Sequence, residues 1–309
     1  MSRHDTSDLI FRRVLAAFPI TVLIIVAGIF FELVYSSLPS LHKFGIGFLY
    51  HSIWNPVEEN FGALPFIYGT CVTSLVALLL AIPIGVGAAI YLVEYAPVKV
   101  SRVISTLVDL LAAIPSVIYG LWGIFVLVPF MRNVVQPFLG KYFGFLPLFQ
   151  GPNYGIGMLA ASVMLAIIIV PFIISVSREV IAAVPFVYKE SAYALGATRW
   201  EALSNIVLSY GKAGILGAVI LALGRAIGEV MAVTMIIGND PKIALSLFSP
   251  GYTLASVIAN EFAEADFPMY LSALIEIALV LFLVAIIVNI LARLLIWSVT
   301  GAQSAEAVK

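Results

Sequence analysis

The chain has 309 residues, 62% of them hydrophobic and 11% charged, with a formal net charge of −1. Soluble domains carry about 25% charged residues, so an ordinary soluble fold is excluded, and the near-zero charge offers no electrostatic footprint for nucleic acid. The single cysteine, Cys71, excludes an intrachain disulfide, and the scattered His4, His42 and His51 lack metal-ligand spacing. The class is an all-α polytopic membrane protein, because a membrane β-barrel would show alternating segments of about ten residues.

In chain order, a polar start holding Arg3, Arg12 and Arg13 leads into an apolar block over 14–33. As a helix that block reaches across a hydrocarbon core of about 30 Å. It is too long for a signal peptide and no Ala-x-Ala site follows, so it reads as a first transmembrane helix. A loop over 36–66 precedes a second span over 67–93, which Pro83, Gly85 and Gly87 interrupt. The third span is expected over 108–130, with Asp109 near its entry and Pro115, Ser116 and Tyr119 in its course. A fourth, holding Pro171, covers 156–175, a fifth 215–237 and a sixth 270–296. Proline and glycine breaks at membrane depth either line a cavity or kink helices for packing, and the sequence leaves both readings open.

Lys and Arg set the orientation. With the N-terminus inside, eleven of these residues fall on inner segments, from Arg3 to Lys309, and only Lys43, Arg132, Lys141 and Lys242 fall outside. Six transmembrane helices then place both termini in the cytoplasm, along with the polar stretch 188–209 between the fourth and fifth spans. That stretch is rich in helix formers up to Gly196, and Thr198 with Glu201 then has the spacing of a capping box. The reading is two short helices with a glycine elbow, exposed to a cytoplasmic partner. Tyr193, Leu195 and Trp200 would be its apolar anchors.

Within the elbow, Glu190-Ser191-Ala192 is followed by Gly196 and, further on, by Ile206 and Leu208. This resembles the EAA loop of permease subunits of ABC importers, with Ser191 in place of an alanine and Ser209 in place of the proline. The runs 62–70, 110–123 and 224–232 are similar to those of the PstC-type permeases of phosphate importers, and the likeness extends from the first span to the sixth. It implies a type I ABC importer permease (MetI-like) fold in the cell inner membrane. It implies as partners a homologous PstA-type permease, two copies of a cytoplasmic ATPase subunit and an external phosphate-binding protein. It implies that Glu190, Ser191, Ala192, Gly196, Ile206 and Leu208 form the ATPase-coupling loop. The domain reading is 1–66 for the first helix and its flanks, 67–298 for the permease domain and 299–309 for a cytoplasmic tail.

Arg225 and Glu229 lie within the fifth span, four residues apart, which on a continuous helix gives them one face. A charge at that depth costs about 2.5–3.5 kcal/mol on insertion scales, so the pair is expected to face protein or a watery path. A guanidinium fork matches a phosphate oxyanion, with Glu229 holding the fork and balancing its charge. The resemblance also implies an Arg and a Glu on the substrate path here; a structural ion pair is the competing reading. Glu276 and Asp109 are weaker candidates, each also readable as an interface or helix-end residue.

No Gly-x-x-x-x-Gly-Lys-Ser/Thr phosphate loop occurs, so ATP hydrolysis is expected on a separate subunit, and no cofactor is implied. The expected function is a permease subunit for inorganic phosphate. Molybdate, sulfate or phosphonate are alternative oxyanions. An ion-coupled secondary transporter, using Glu229 or Glu276, would not need the elbow. A membrane enzyme would need a nucleophile, metal cluster or paired carboxylates that the sequence does not display.

Overall fold

The computed structural model describes residues 3–306, with side chains described over 11–297; Lys309 lies outside the described residues. Among them the regular structure is helical, and six helices are long and apolar enough to cross a membrane. Helix α1 (Arg3–Phe44) runs on through Pro19 and Pro39 well beyond the block expected to cross. Helix α2 (Leu64–Ile90) is extended by a π-helical turn over Tyr91–Tyr95.

The expected third span is in fact two elements. The amphipathic α3 (Val98–Ala112) stops before Pro115, and the crossing helix α4 (Ser116–Phe143) starts after it. Pro115 has an extended backbone (φ −58°, ψ 138°) and lacks an N–H, so it begins a helix and does not continue one. Tyr119 Oη bridges the break by donating to the Leu111 carbonyl at 2.9 Å. Helix α5 (Met158–Ala182) is followed by α6 (Phe186–Ala194), then by the long α7 (Arg199–Ile227) with its π turn at Leu203–Val207. The expected fifth span is therefore displaced: α7 begins inside the polar elbow and ends at Ile227, ten residues early. The short α8 (Met231–Thr234), α9 (Leu254–Glu261) and the final α10 (Pro268–Glu306) complete the chain.

Helices α2, α5 and α7 form the central core. Ala77 and Ala81 of α2, Ala161, Leu165, Ile169 and Ile173 of α5, and Ala222 and Ala226 of α7 are buried together. Small residues let helix backbones approach where lipid gives no hydrophobic drive between helices. A Cβ added at Gly85 would lie 2.7 Å from Ile173 Cγ2, so this glycine serves close packing within an unbroken α2. A second core, of Phe48, Trp54, Phe61, Phe66, Tyr252 and Tyr270, joins the loops at the far end of α1 and α2 to the start of α10.

Candidate functional site

The polar stretch between α5 and α7 folds largely as its sequence suggests. Helix α6 closes on Gly196 (φ +87°), with Ala197 N–H donating to Ala192 O and Gly196 N–H to Tyr193 O, both at 3.0 Å. This is a Schellman ending, and the left-handed backbone that it requires favours glycine. Thr198 then caps α7: its N–H donates to Glu201 Oε2 at 2.7 Å, and Thr198 Oγ1 accepts from Glu201 N–H at 3.3 Å. The second helix is not short, however. No proline stops it, and a π turn carries Arg199 onward into the crossing helix. The loop is thus one short helix, α6, joined through Gly196 to the start of a span.

Glu190, Ser191 and Gly196 are exposed, as are Tyr193, Leu195 (90%) and Trp200 (65%). Ala192 is buried. The second half of the motif faces inward. Leu208 packs with buried Leu203 and Val207 against Ala89 of α2 and Ile181 of α5, and Ile206 is half-buried. Leu208 therefore anchors the loop to the bundle.

One contact had no signal in the sequence. Lys189 Nζ lies 2.5 Å from Glu94 Oε1, in the π turn at the end of α2, and both side chains are largely buried. The two residues are 95 positions apart, so no local pattern relates them. They line a cavity of about 650 Å³ together with Tyr95, Phe186, Tyr193 and Arg199. Nearby, Asp109 accepts from Ser175 Oγ at 2.6 Å and pairs with Arg178 at 3.6 Å, which ties α3 to α5. This places Asp109 at a helix interface.

Arg225 and Glu229 do not share a helix face. Arg225 occupies the last turn of α7, Gly228 caps its end (φ −88°, ψ 1°), and Glu229 follows in irregular backbone. Two weak helix formers, Gly224 and Gly228, surround the break. The Glu229 carboxylate accepts the amide proton of Ala232 at 3.5 Å, at the start of α8. No salt bridge joins the two among the described residues. Glu229 is buried (9% exposed), whereas Arg225 is exposed on a face its own chain leaves open. Arg225 interacts electrostatically with Tyr119 of α4. Contact between α4 and α8 fixes this neighbourhood: a Cβ at Gly120 would lie 3.2 Å from Ala232 Cα. A cation in the last helical turn meets the negative end of the helix dipole, which offsets part of its cost at this depth. The chemical capability is that of a guanidinium held at a broken helix; broken helices are found where transporters line a path.

A six-span bundle with a hinged helix between its fourth and fifth spans is the architecture of transport-system membrane components. Residues 81–300 match the family of binding-protein-dependent transport system inner membrane components, and the chain belongs to that family. It is similar over nearly its whole length to phosphate transport system permease proteins named PstC. It is 45% identical to that of Mesorhizobium japonicum, over 98% of this chain and 94% of the relative. It is 47% identical to that of Pasteurella multocida, over 95% and 92%. Among solved structures, a chain of a bacterial alginate ABC transporter in complex with its alginate-bound periplasmic protein is 17% identical with a TM-score of 0.61, covering 93% of both chains. A chain of the inward-facing MetNI methionine ABC transporter is 18% identical with a TM-score of 0.57, covering 75% of this chain and 93% of that one. The fold is that of a MetI-like ABC importer permease, and the protein is a multi-pass inner-membrane permease.

Proposed function

We propose that this permease carries inorganic phosphate across the inner membrane as one half of a heterodimeric path, with a PstA-type permease as the other half. The observation that carries this is the near full-length likeness to phosphate permeases together with an exposed guanidinium at a helix break. Arg225 is the phosphate contact. Its guanidinium offers forked donors to the oxyanion, and the second permease completes the wall on its open side. Glu229 keeps the empty path close to neutral, so that the anion is not held too tightly to leave. Its carboxylate is positioned through the Ala232 amide and not by a direct bond to Arg225.

Energy enters from outside the chain. Two cytoplasmic ATPase subunits bind ATP, one of them docking on α6, and an external phosphate-binding protein delivers the substrate. Both termini lie in the cytoplasm, and residues 67–298 act as the permease unit. The exposed Tyr193, Leu195 and Trp200 beside Glu190 suit a docking groove on the ATPase. The test is uptake of radiolabelled phosphate by proteoliposomes containing the complete complex. ATP-dependent uptake that excess phosphate suppresses, but sulfate and molybdate do not, is expected. Uptake that molybdate or sulfate suppresses equally would reassign the substrate.

A further inference from the structure

Helix α6 is joined to the spans at either end by non-helical backbone. Pro185 (φ −58°, ψ 130°) precedes it, and Gly196 (φ +87°) follows. Movement of α6 is therefore not passed to the bundle by helix continuity, and lateral contacts must carry it. Two stand out. Tyr188 packs on Tyr210 of α7 with ring centroids 5.9 Å apart, an exposed contact. The other is the Lys189–Glu94 ion pair, with side chains only 12% and 16% exposed.

Glu94 is well placed to receive a load. It sits in the π turn Tyr91–Tyr95, and such turns recur at functional points in helices. The same span runs unbroken from Tyr95 back to Leu64. At that distant end, Gly69 lies against the Tyr252 carbonyl and Thr70 Oγ1 accepts the Leu254 amide at 2.9 Å. Between the two ends, α2 packs closely on α5 through Gly85 and Ile173. A displacement of Glu94 along α2 therefore reaches the loops on the opposite side of the membrane.

We infer that the Lys189–Glu94 pair is the positioning link through which displacement of the loop helix moves α2 and opens or closes the path. Its inference rests on the proposed importer function. Poor solvation makes such a pair costly to break. Removing one partner leaves the other as an uncompensated, largely buried charge, whereas exchanging the two charges restores the pair.

The experiment uses the whole complex reconstituted in proteoliposomes, with phosphate import and ATP hydrolysis measured in parallel. Lys189→Gln and Glu94→Gln are expected to lower phosphate imported per ATP hydrolysed by about tenfold, with hydrolysis retained. The double exchange Lys189→Glu with Glu94→Lys is expected to recover at least half of the wild-type ratio. Retained hydrolysis shows that the variant complexes assemble, and recovery in the exchanged pair shows that the lost import came from breaking the pair. A wild-type complex that imports while both Gln variants match its ratio overturns the link alone. So does an exchange no better than either single variant. A wild-type complex that hydrolyses ATP but imports no phosphate overturns the functional reading, and the link with it.

Discussion

Arg225 and Glu229 sit on opposite sides of a helix end: α7 stops at Ile227, and the Glu229 carboxylate turns away to accept the Ala232 amide at 3.5 Å. The separation leaves the guanidinium without a salt-bridge partner among the described residues, and therefore available to an anion. Arg225→Gln keeps a hydrogen-bonding side chain and removes the charge. Hydrogen bonds to charged groups contribute about 1.5–3 kcal/mol, so phosphate import is expected to fall by roughly one to two orders of magnitude. The quantity of assembled complex should not change. A well-assembled variant importing at the wild-type rate would remove Arg225 from the path.

Gly69 allows α2 to touch the loop before α9. A Cβ there would come 2.1 Å from the Tyr252 carbonyl oxygen, which is backbone, while the neighbouring Thr70 holds the Leu254 amide. Neither side can yield without breaking that hydrogen bond. Gly69→Ala is expected to destabilise the protein by about 1–3 kcal/mol, the range for overpacking a close contact. Thermal unfolding in detergent followed by fluorescence should show a midpoint lowered by several degrees; an unchanged midpoint would mean that the loop moves freely.

Much of this fold was legible from hydropathy, because apolar blocks long enough to cross are unambiguous. The number of spans, the place of α2, α5 and α10, the glycine hinge and the Thr198–Glu201 cap all follow from local patterns. What failed were the ends set by backbone chemistry inside apolar runs. Residues 108–130 and 215–237 each read as one span because the runs on both sides of Pro115 and Gly228 are apolar enough for hydropathy to join them, and a proline or glycine within a span can equally mark a kink. The Arg225–Glu229 spacing suggested a shared face only while the helix was assumed to continue. Lys189–Glu94 had no sequence signal, since it depends on α6 meeting the π turn at the end of α2.

The exposed apolar side chains beside Gly196 lead to an expectation about the ATPase. Leu195 is 90% and Trp200 65% exposed in the free chain, and large apolar groups at that exposure are anchors awaiting a pocket. A hot-spot residue contributes about 2 kcal/mol or more to binding, so Trp200→Ala should weaken association with the ATPase subunits by roughly thirtyfold. Titration of fluorescent ATPase subunit onto the permease pair in nanodiscs measures this. Wild-type affinity in Trp200→Ala would place the docking surface elsewhere. Ser204→Ala, on the same helix and half-buried, should leave affinity unchanged.

Glu276 poses the opposite problem, a carboxyl with a polar setting but no cation. It is 3% exposed where α10 meets α1, beside Ser40, and its Oε2 has no hydrogen-bond partner among the described residues. The same contact holds Ser272, whose hydroxyl accepts the Ser40 amide and donates to the Ser36 carbonyl, both at 3.1 Å. No salt bridge involves Glu276 among the described residues, so a charge there has no cationic partner in this packing. What the packing uses is a side chain of this length and shape. Glu276→Gln is therefore expected to keep stability within about 1 kcal/mol, the range of one net hydrogen bond, and to import phosphate normally. Glu276→Ala opens a buried cavity and should cost about 2–4 kcal/mol by analogy with large-to-small core changes. Thermal unfolding and phosphate uptake of both variants decide the matter. Loss of uptake in a stable Glu276→Gln complex would mean that the carboxylate acts in transport, and the packing role would fall.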